Sequence, residues 1–204
     1  FRPSKWPDGS TRWGLWEKDD SGRFVQDLSL HILDIAENSL AAGAQRIVIR
    51  VEENLSADRM VLEIMDDGCG MDEEMAQKAL DPFFTTKAVR RVGLGLPLLA
   101  EACRMSGGGL CLQSSPGKGT TVRATFQGSH IDRKPLGSMT DTLMTLIIGH
   151  PEVELIYEHR KDGRVFSLDT REIKSDLGEI PLNAPEVVST LRVLIQTGLD
   201  EMEG

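Results

Sequence analysis

Asp34 and Asn38 stand four residues apart, so a helix holding both carries a carboxylate and an amide oxygen on one side. With His31 set at 0° and about 100° per residue, Asp34 falls near −60° and Asn38 near −20°. Leu28, Ile32, Ile35, Ala36 and Leu40 gather on the other side, at about 40° to 180°. One face is therefore apolar, and the other presents His31, Asp34, Glu37 and Asn38. Oxygen donors of this kind suit Mg²⁺, which takes hard oxygen ligands and keeps several waters. A plain solvated helix face would show the same pattern.

A further carboxylate, Asp66, opens Asp66-Asp67-Gly68-Cys69-Gly70 straight after an apolar alternating run. Glycines at 68 and 70 let backbone approach a flat ligand closely. An ionised Asp66 can accept a hydrogen bond from the exocyclic amine of adenine. An ordinary Asp-Gly turn is the plainer alternative. Next come Asp81-Pro82-Phe83-Phe84-Thr85-Thr86-Lys87, then Arg90 and Arg91, then Gly93-Leu94-Gly95-Leu96-Pro97. Glycines opening a helix leave free N–H groups at its positive end, an anion site suited to a triphosphate. Lys87, Arg90 and Arg91 offer cations to the terminal phosphate. Pro97 is tolerated because the first helical turn has spare N–H groups. Gly117-Lys118-Gly119-Thr120 reads as a turn entering a strand.

These residues need elements to hold them. A helix over residues 28–42 stops at Gly43, a good C′ residue. Ile47/Ile49/Val51 and Met60/Leu62/Ile64 keep period two, giving strands over 46–52 and 59–65. A short helix is expected over 73–80, and another from near Leu96 to Gly107-Gly108-Gly109. Strands over 110–113 and 120–126 close this part around the turn at 116–119. Helix, two strands, two helices and two strands make an α/β sandwich with a mixed sheet. Three stretches follow: residues 1–25, a Trp-rich hairpin or tail; 26–127, carrying the chemistry; and 128–204, a small α+β extension. The last is expected to hold a helix over 139–148, a hairpin of 152–158 and 164–168, and a helix over 185–198.

A chain of 204 residues can bury a real core, and its net charge of −9 argues against a phosphate-tracking nucleic-acid surface. The longest apolar run, 143–148, is too short to cross a bilayer. Phe1 to Trp6 hold no apolar h-region, so no secretory signal is read there. Cys69, Cys103 and Cys111 form no CxxC pair and leave an odd count. They are expected to be core-filling thiols in a reducing, cytoplasmic setting.

Taken together, five segments resemble the boxes of the GHKL ATPase superfamily, in its order and at its spacing. They are Asp34-Ile-Ala-Glu-Asn38-Ser-Leu-Ala-Ala-Gly43, Asp66-Asp-Gly-Cys-Gly70, Asp81-Pro-Phe-Phe-Thr-Thr-Lys87, Gly93-Leu-Gly-Leu96 and Gly117-Lys-Gly-Thr120. The wording of the third is most similar to the nitrogen-regulatory class of sensor histidine kinases. The resemblance covers about half the chain. It implies a Bergerat-type two-layer α/β fold with helices on one face of a mixed sheet, and a site for ATP and Mg²⁺. Asn38 would then be the Mg²⁺ ligand and Asp66 the adenine contact. Gly68 and Gly70 would shape the adenine pocket. Gly93, Leu94, Gly95 and Leu96 would form the phosphate loop, Phe84 and Lys87 would belong to the lid, and Thr120 would support the base end.

Two departures shape the functional expectation. Superfamily members that hydrolyse ATP alone carry Glu four residues before the metal-binding Asn, where this chain has Asp34. A carboxylate one methylene shorter reaches a water poorly, at a cost of roughly 1–3 kcal/mol of barrier, so weak intrinsic hydrolysis is expected. Glu37, about 60° round the helix, is a poorer base. The phosphoacceptor box of sensor kinases is the second gap: His31 is followed by Ile32, and His130, His150 and His159 lack the motif as well. The resemblance therefore implies a kinase-type domain acting on a separate protein, as small anti-sigma-factor kinases do. The alternative is a nucleotide-sensing subunit that changes partner contacts on ATP binding. Small ATP-binding proteins similar to this one accompany iron-hydrogenase and other electron-transfer systems, which adds a redox complex to the classes of partner.

Overall fold

A computed structural model describes residues 27–81 and 95–203. The proposed hairpin in residues 1–25 lies outside them, as do Phe84, Lys87, Arg90, Arg91, Gly93 and Leu94. Helix α1 spans Leu28–Ala41, where Asp27 caps it: its Oδ1 accepts from Leu30 N at 3.2 Å and Ser29 Oγ at 2.7 Å. Strands β1 (Arg46–Asn54) and β2 (Arg59–Asp66) follow, then the short α2 (Glu73–Lys78) and α3 (Gly95–Met105). After β3 (Gly109–Ser115) and β4 (Gly119–Gln127) come α4 (Met139–Gly149), β5 (Glu154–Lys161), β6 (Arg164–Asp169), α5 (Thr170–Leu177) and α6 (Pro185–Glu203).

The six strands form one sheet in the order β3-β4-β2-β1-β5-β6, antiparallel except where β5 lies parallel to β1. The alternation seen in sequence sets the two faces. Ile47, Ile49, Val51, Met60, Leu62, Ile64, Val122, Ala124, Phe126, Leu155 and Tyr157 all point to the helices and are buried. Against them pack Leu28, Ile32 and Ile35 of α1, Leu99 and Cys103 of α3, Leu143 and Met144 of α4, and Leu191 and Ile195 of α6. At about 25 cal/mol per Å² of apolar surface, this layer is the main source of cohesion. The other sheet face carries charge: Glu63 meets Arg50 at 3.2 Å and Arg123 at 3.6 Å. Such exposed pairs contribute little. The architecture is a two-layer α/β sandwich with its helices on one side.

Several details differ from expectation. The strands of residues 128–204 join the same sheet, because β5 pairs with β1 from Arg46–Glu154 to Glu53–Lys161. Helix α5 was not foreseen, and α6 continues beyond Gly198 to Glu203. Of the three thiols only Cys103 is buried, and burial pushes it up to about 12; Cys69 and Cys111 are exposed. No helix among the described residues is long and apolar enough to cross a membrane.

His31 is fully buried rather than presented on the polar face of α1. Residues 134–137 cross the helix there: Leu28 N donates to Pro135 O and Ser29 N to Leu136 O, at 3.0 and 2.8 Å. Lys134 Nζ lies 3.3 Å from His31 Nε2. Burial first, and the Lys134 charge second, push the imidazole down to about 4. A folded value below the unfolded one gives stability that is complete above the unfolded value, near pH 6.5, and is lost as the pH falls towards 4. Loss of up to about 3 kcal/mol is expected across that window, on 1.36 kcal/mol per unit. Urea midpoints measured between about pH 7 and pH 5 should fall less steeply in His31→Gln than in the native chain. Equal slopes would show that His31 titrates normally.

Candidate functional site

Asp66 ends β2 and sits opposite Ile47 of β1 and Thr120 of β4. Its Oδ1 accepts from Gly68 N at 3.0 Å and Thr120 N at 3.1 Å. Its Oδ2 accepts from Ser39 Oγ at 2.7 Å. One partly buried carboxylate thus ties α1, β2 and β4 together through charge-assisted bonds.

The loop after Asp66 is laid between α1 and the β3–β4 turn. Cys69 N donates to Ala42 O at 2.9 Å, and Gly117 N to Cys69 O at 2.7 Å. Met71 N donates to Ser114 Oγ at 2.8 Å, and that hydroxyl is 2.9 Å from Thr120 Oγ1. Asp67 turns away from the loop and accepts from Gln45 N and Arg46 N, both at 2.8 Å, which starts β1. Two glycines make the close approach feasible. Gly70 has φ +65°, and a Cβ there would lie 2.0 Å from Ser115 O; Gly119 has φ +82°, and its Cβ would lie 1.9 Å from Asp66 O.

On the other side of α1, the first residue of α3 packs on Asp34: a Cβ on Gly95 would be 3.1 Å from Asp34 Cβ. No acidic residue sits in the first turn of α3 itself, but the Asp34 carboxylate lies beside it, with Oδ2 3.6 Å from where a Gly95 Cβ would be. Asp34 is exposed and Asn38 half-buried. A cleft of about 670 Å³ opens nearby, lined by Glu37, Leu40, Arg46, Asp67, His150 and Glu154 among others. It is distinct from the Asp66 cluster, whose Ser39, Gly68 and Thr120 do not line it.

Among the described residues the structure brings Asp66, Gly68, Gly70 and Thr120 together beside the C-terminal end of α1, and packs Gly95 against Asp34 at the middle of that helix. Sequence reasoning missed Ser39 and Ser114. Ser39 carried a signal: at about 80° on the helix wheel it falls within the apolar face, and a buried hydroxyl needs a partner.

The pattern of the family described as Histidine kinase-, DNA gyrase B-, and HSP90-like ATPase matches residues 23–130. The chain belongs to this family. Membership of this histidine kinase-like ATPase family implies an ATP site. Among its relatives, the signal transduction histidine-protein kinase AtoS of Escherichia coli (strain K12) is 37% identical over 91 residues, covering 44% of this chain and 15% of AtoS. The nitrogen regulation protein NtrY of Azorhizobium caulinodans is 31% identical over 93 residues, covering 45% of this chain and 12% of NtrY. The sensor kinase CckA of Brucella abortus (strain 2308) is 32% identical over 124 residues, covering 53% of this chain and 13% of CckA. This histidine kinase-like chain thus spans a small part of the length of the curated relatives it matches. The crystal structure of the N-terminal domain of a DNA repair protein shares the fold, with a TM-score of 0.50 at 18% identity over 75% of this chain and 57% of that one.

Proposed function

We propose that the chain binds ATP with Mg²⁺ at the Asp66–Asn38 end of α1 and acts as a histidine-kinase-like domain passing the γ-phosphate to a separate protein. The observation that carries this reading is the Asp66 carboxylate, held by three donors from different elements and backed by a glycine loop pressed against β4. A carboxylate so fixed at a family ATP site fits one hydrogen bond from the adenine amine. The α3 end beside Asp34 would supply N–H groups for phosphate, and the sequence adds Lys87, Arg90 and Arg91 just before it.

The donor set suits Mg²⁺. The Asn38 amide oxygen is a hard ligand, and the described residues hold no cluster of three or more His, Cys, Asp or Glu, so water and phosphate would complete the shell. Bound there, Mg²⁺ would neutralise charge on the phosphates. Asn38 would orient that charge and Asp66 the base, so the work of the site is positioning. Asp34, with its shorter side chain, would hold a water poorly. A protein side chain as phosphate acceptor does not need that water.

Asp34 also favours a second reading, a nucleotide sensor that changes its protein contacts without moving phosphate. γ-Labelled ATP separates the two. Label on an added partner protein supports the kinase, whereas tight ATP binding with neither labelled protein nor free phosphate supports the sensor. Asn38→Ala is expected to abolish the gain in ATP affinity that Mg²⁺ brings while leaving affinity in a chelator within about twofold. Titration calorimetry with and without Mg²⁺ measures it, and an undiminished Mg²⁺ effect rejects Asn38 as ligand.

A further inference from the structure

An ionised carboxylate offers about four acceptor positions, two on each oxygen. On Asp66, Oδ1 gives both to backbone, at Gly68 N and Thr120 N. Oδ2 gives one to Ser39 Oγ at 2.7 Å. One position remains. We infer that Ser39 is a positioning residue which restricts Asp66 to a single ligand hydrogen bond, and that it thereby selects a 6-aminopurine over a 6-oxopurine. This rests on the reading of Asp66 as the base contact.

The backbone amides hold Oδ1 and make no bond to Oδ2. Ser39 is the side chain that pins the other oxygen. It is only 3% exposed and sits on α1, one residue after Asn38. Its hydroxyl has one proton and two acceptors in reach, Asp66 Oδ2 at 2.7 Å and Ile35 O at 3.2 Å. The shorter bond to an ionised acceptor is the stronger. With Ser39 in place, the one remaining lone pair suits a single N–H donor such as the adenine amine. Guanine instead presents two neighbouring N–H donors and needs both carboxylate oxygens; Oδ1 is occupied and Oδ2 half occupied.

Ser39→Ala tests the inference with three triphosphates: ATP, the purine riboside analogue that lacks the 6-amine, and GTP. The native chain should prefer ATP to the amine-free analogue. In Ser39→Ala, Oδ2 loses the bond that fixes its direction, so ATP affinity should fall about tenfold. Affinity for the amine-free analogue should stay within about twofold and GTP should not weaken, so the preference for ATP collapses. General damage to the fold would weaken all three together and leave the preference intact. A preserved preference in Ser39→Ala, whether or not all affinities drop, overturns the role of Ser39 and leaves the Asp66 reading standing. A native chain indifferent to the 6-amine overturns the Asp66 reading itself, and this inference with it.

Discussion

Asp66→Ala should lower ATP affinity by at least about 100-fold, close to 3 kcal/mol. The change removes the proposed acceptor for the base amine, and it does more. Gly68 N, Thr120 N and Ser39 Oγ lose their common partner together, so the start of the loop is freed while Cys69 and Met71 keep their bonds to Ala42, Gly117 and Ser114. Because Ile47, Ile49 and the rest of the core are untouched, the folded state should survive. Titration calorimetry with ATP, alongside far-ultraviolet circular dichroism, measures both. An affinity within about threefold of native, with an intact fold, would move the base elsewhere.

Gly119→Ala should be the most damaging single-atom addition to the site. Gly119 is left-handed, at φ +82°, and its added Cβ would fall 1.9 Å from Asp66 O, a backbone atom that cannot swing aside. Left-handed strain and the steric push together should cost about 3 kcal/mol or more. For a chain of this size that lowers Tm by roughly 6–12 °C. The same displacement moves Thr120 N away from Asp66, so ATP binding should fall with stability. A thermal melt within about 2 °C of native would show that the β3–β4 turn relaxes freely. Gly117, with open space around its Cβ position, is the internal comparison.

The contrast between these residues shows what could be read in the sequence. The site was legible because its parts are local: Asn38 is four residues from Asp34, and Asp66 closes a period-two strand just before its glycines. Gly95 opens a helix, and its neighbour Asp34 lies on another helix whose wheel placed it outward. What escaped depends on contacts distant along the chain. The wheel set His31 on the polar face because the segment that covers it lies far along the chain, at residues 134–137. Helix α5 has only Ile173 and Leu177 as large apolar residues, too few for a period to emerge. Gly198 suggested a helix end, yet α6 runs through it because the Phe166 ring occupies the space, 2.2 Å from where a Cβ would be. Ser39 was overlooked because its partner comes from a strand. Nor did any local signal announce that β5 would lie along β1.

That parallel junction has a consequence for where the chain can be divided. The family pattern ends at residue 130, but the backbone ladder from Arg46–Glu154 to Glu53–Lys161 crosses that boundary. Severing the polypeptide there would strip one margin of β1 of its hydrogen bonds and uncover the side of α1 that rests on α4. What remained would be a four-stranded sheet with β1 as an open edge, prone to join its own copies. In this molecule the sheet and its helix layer run on past the point where sequence kinship stops.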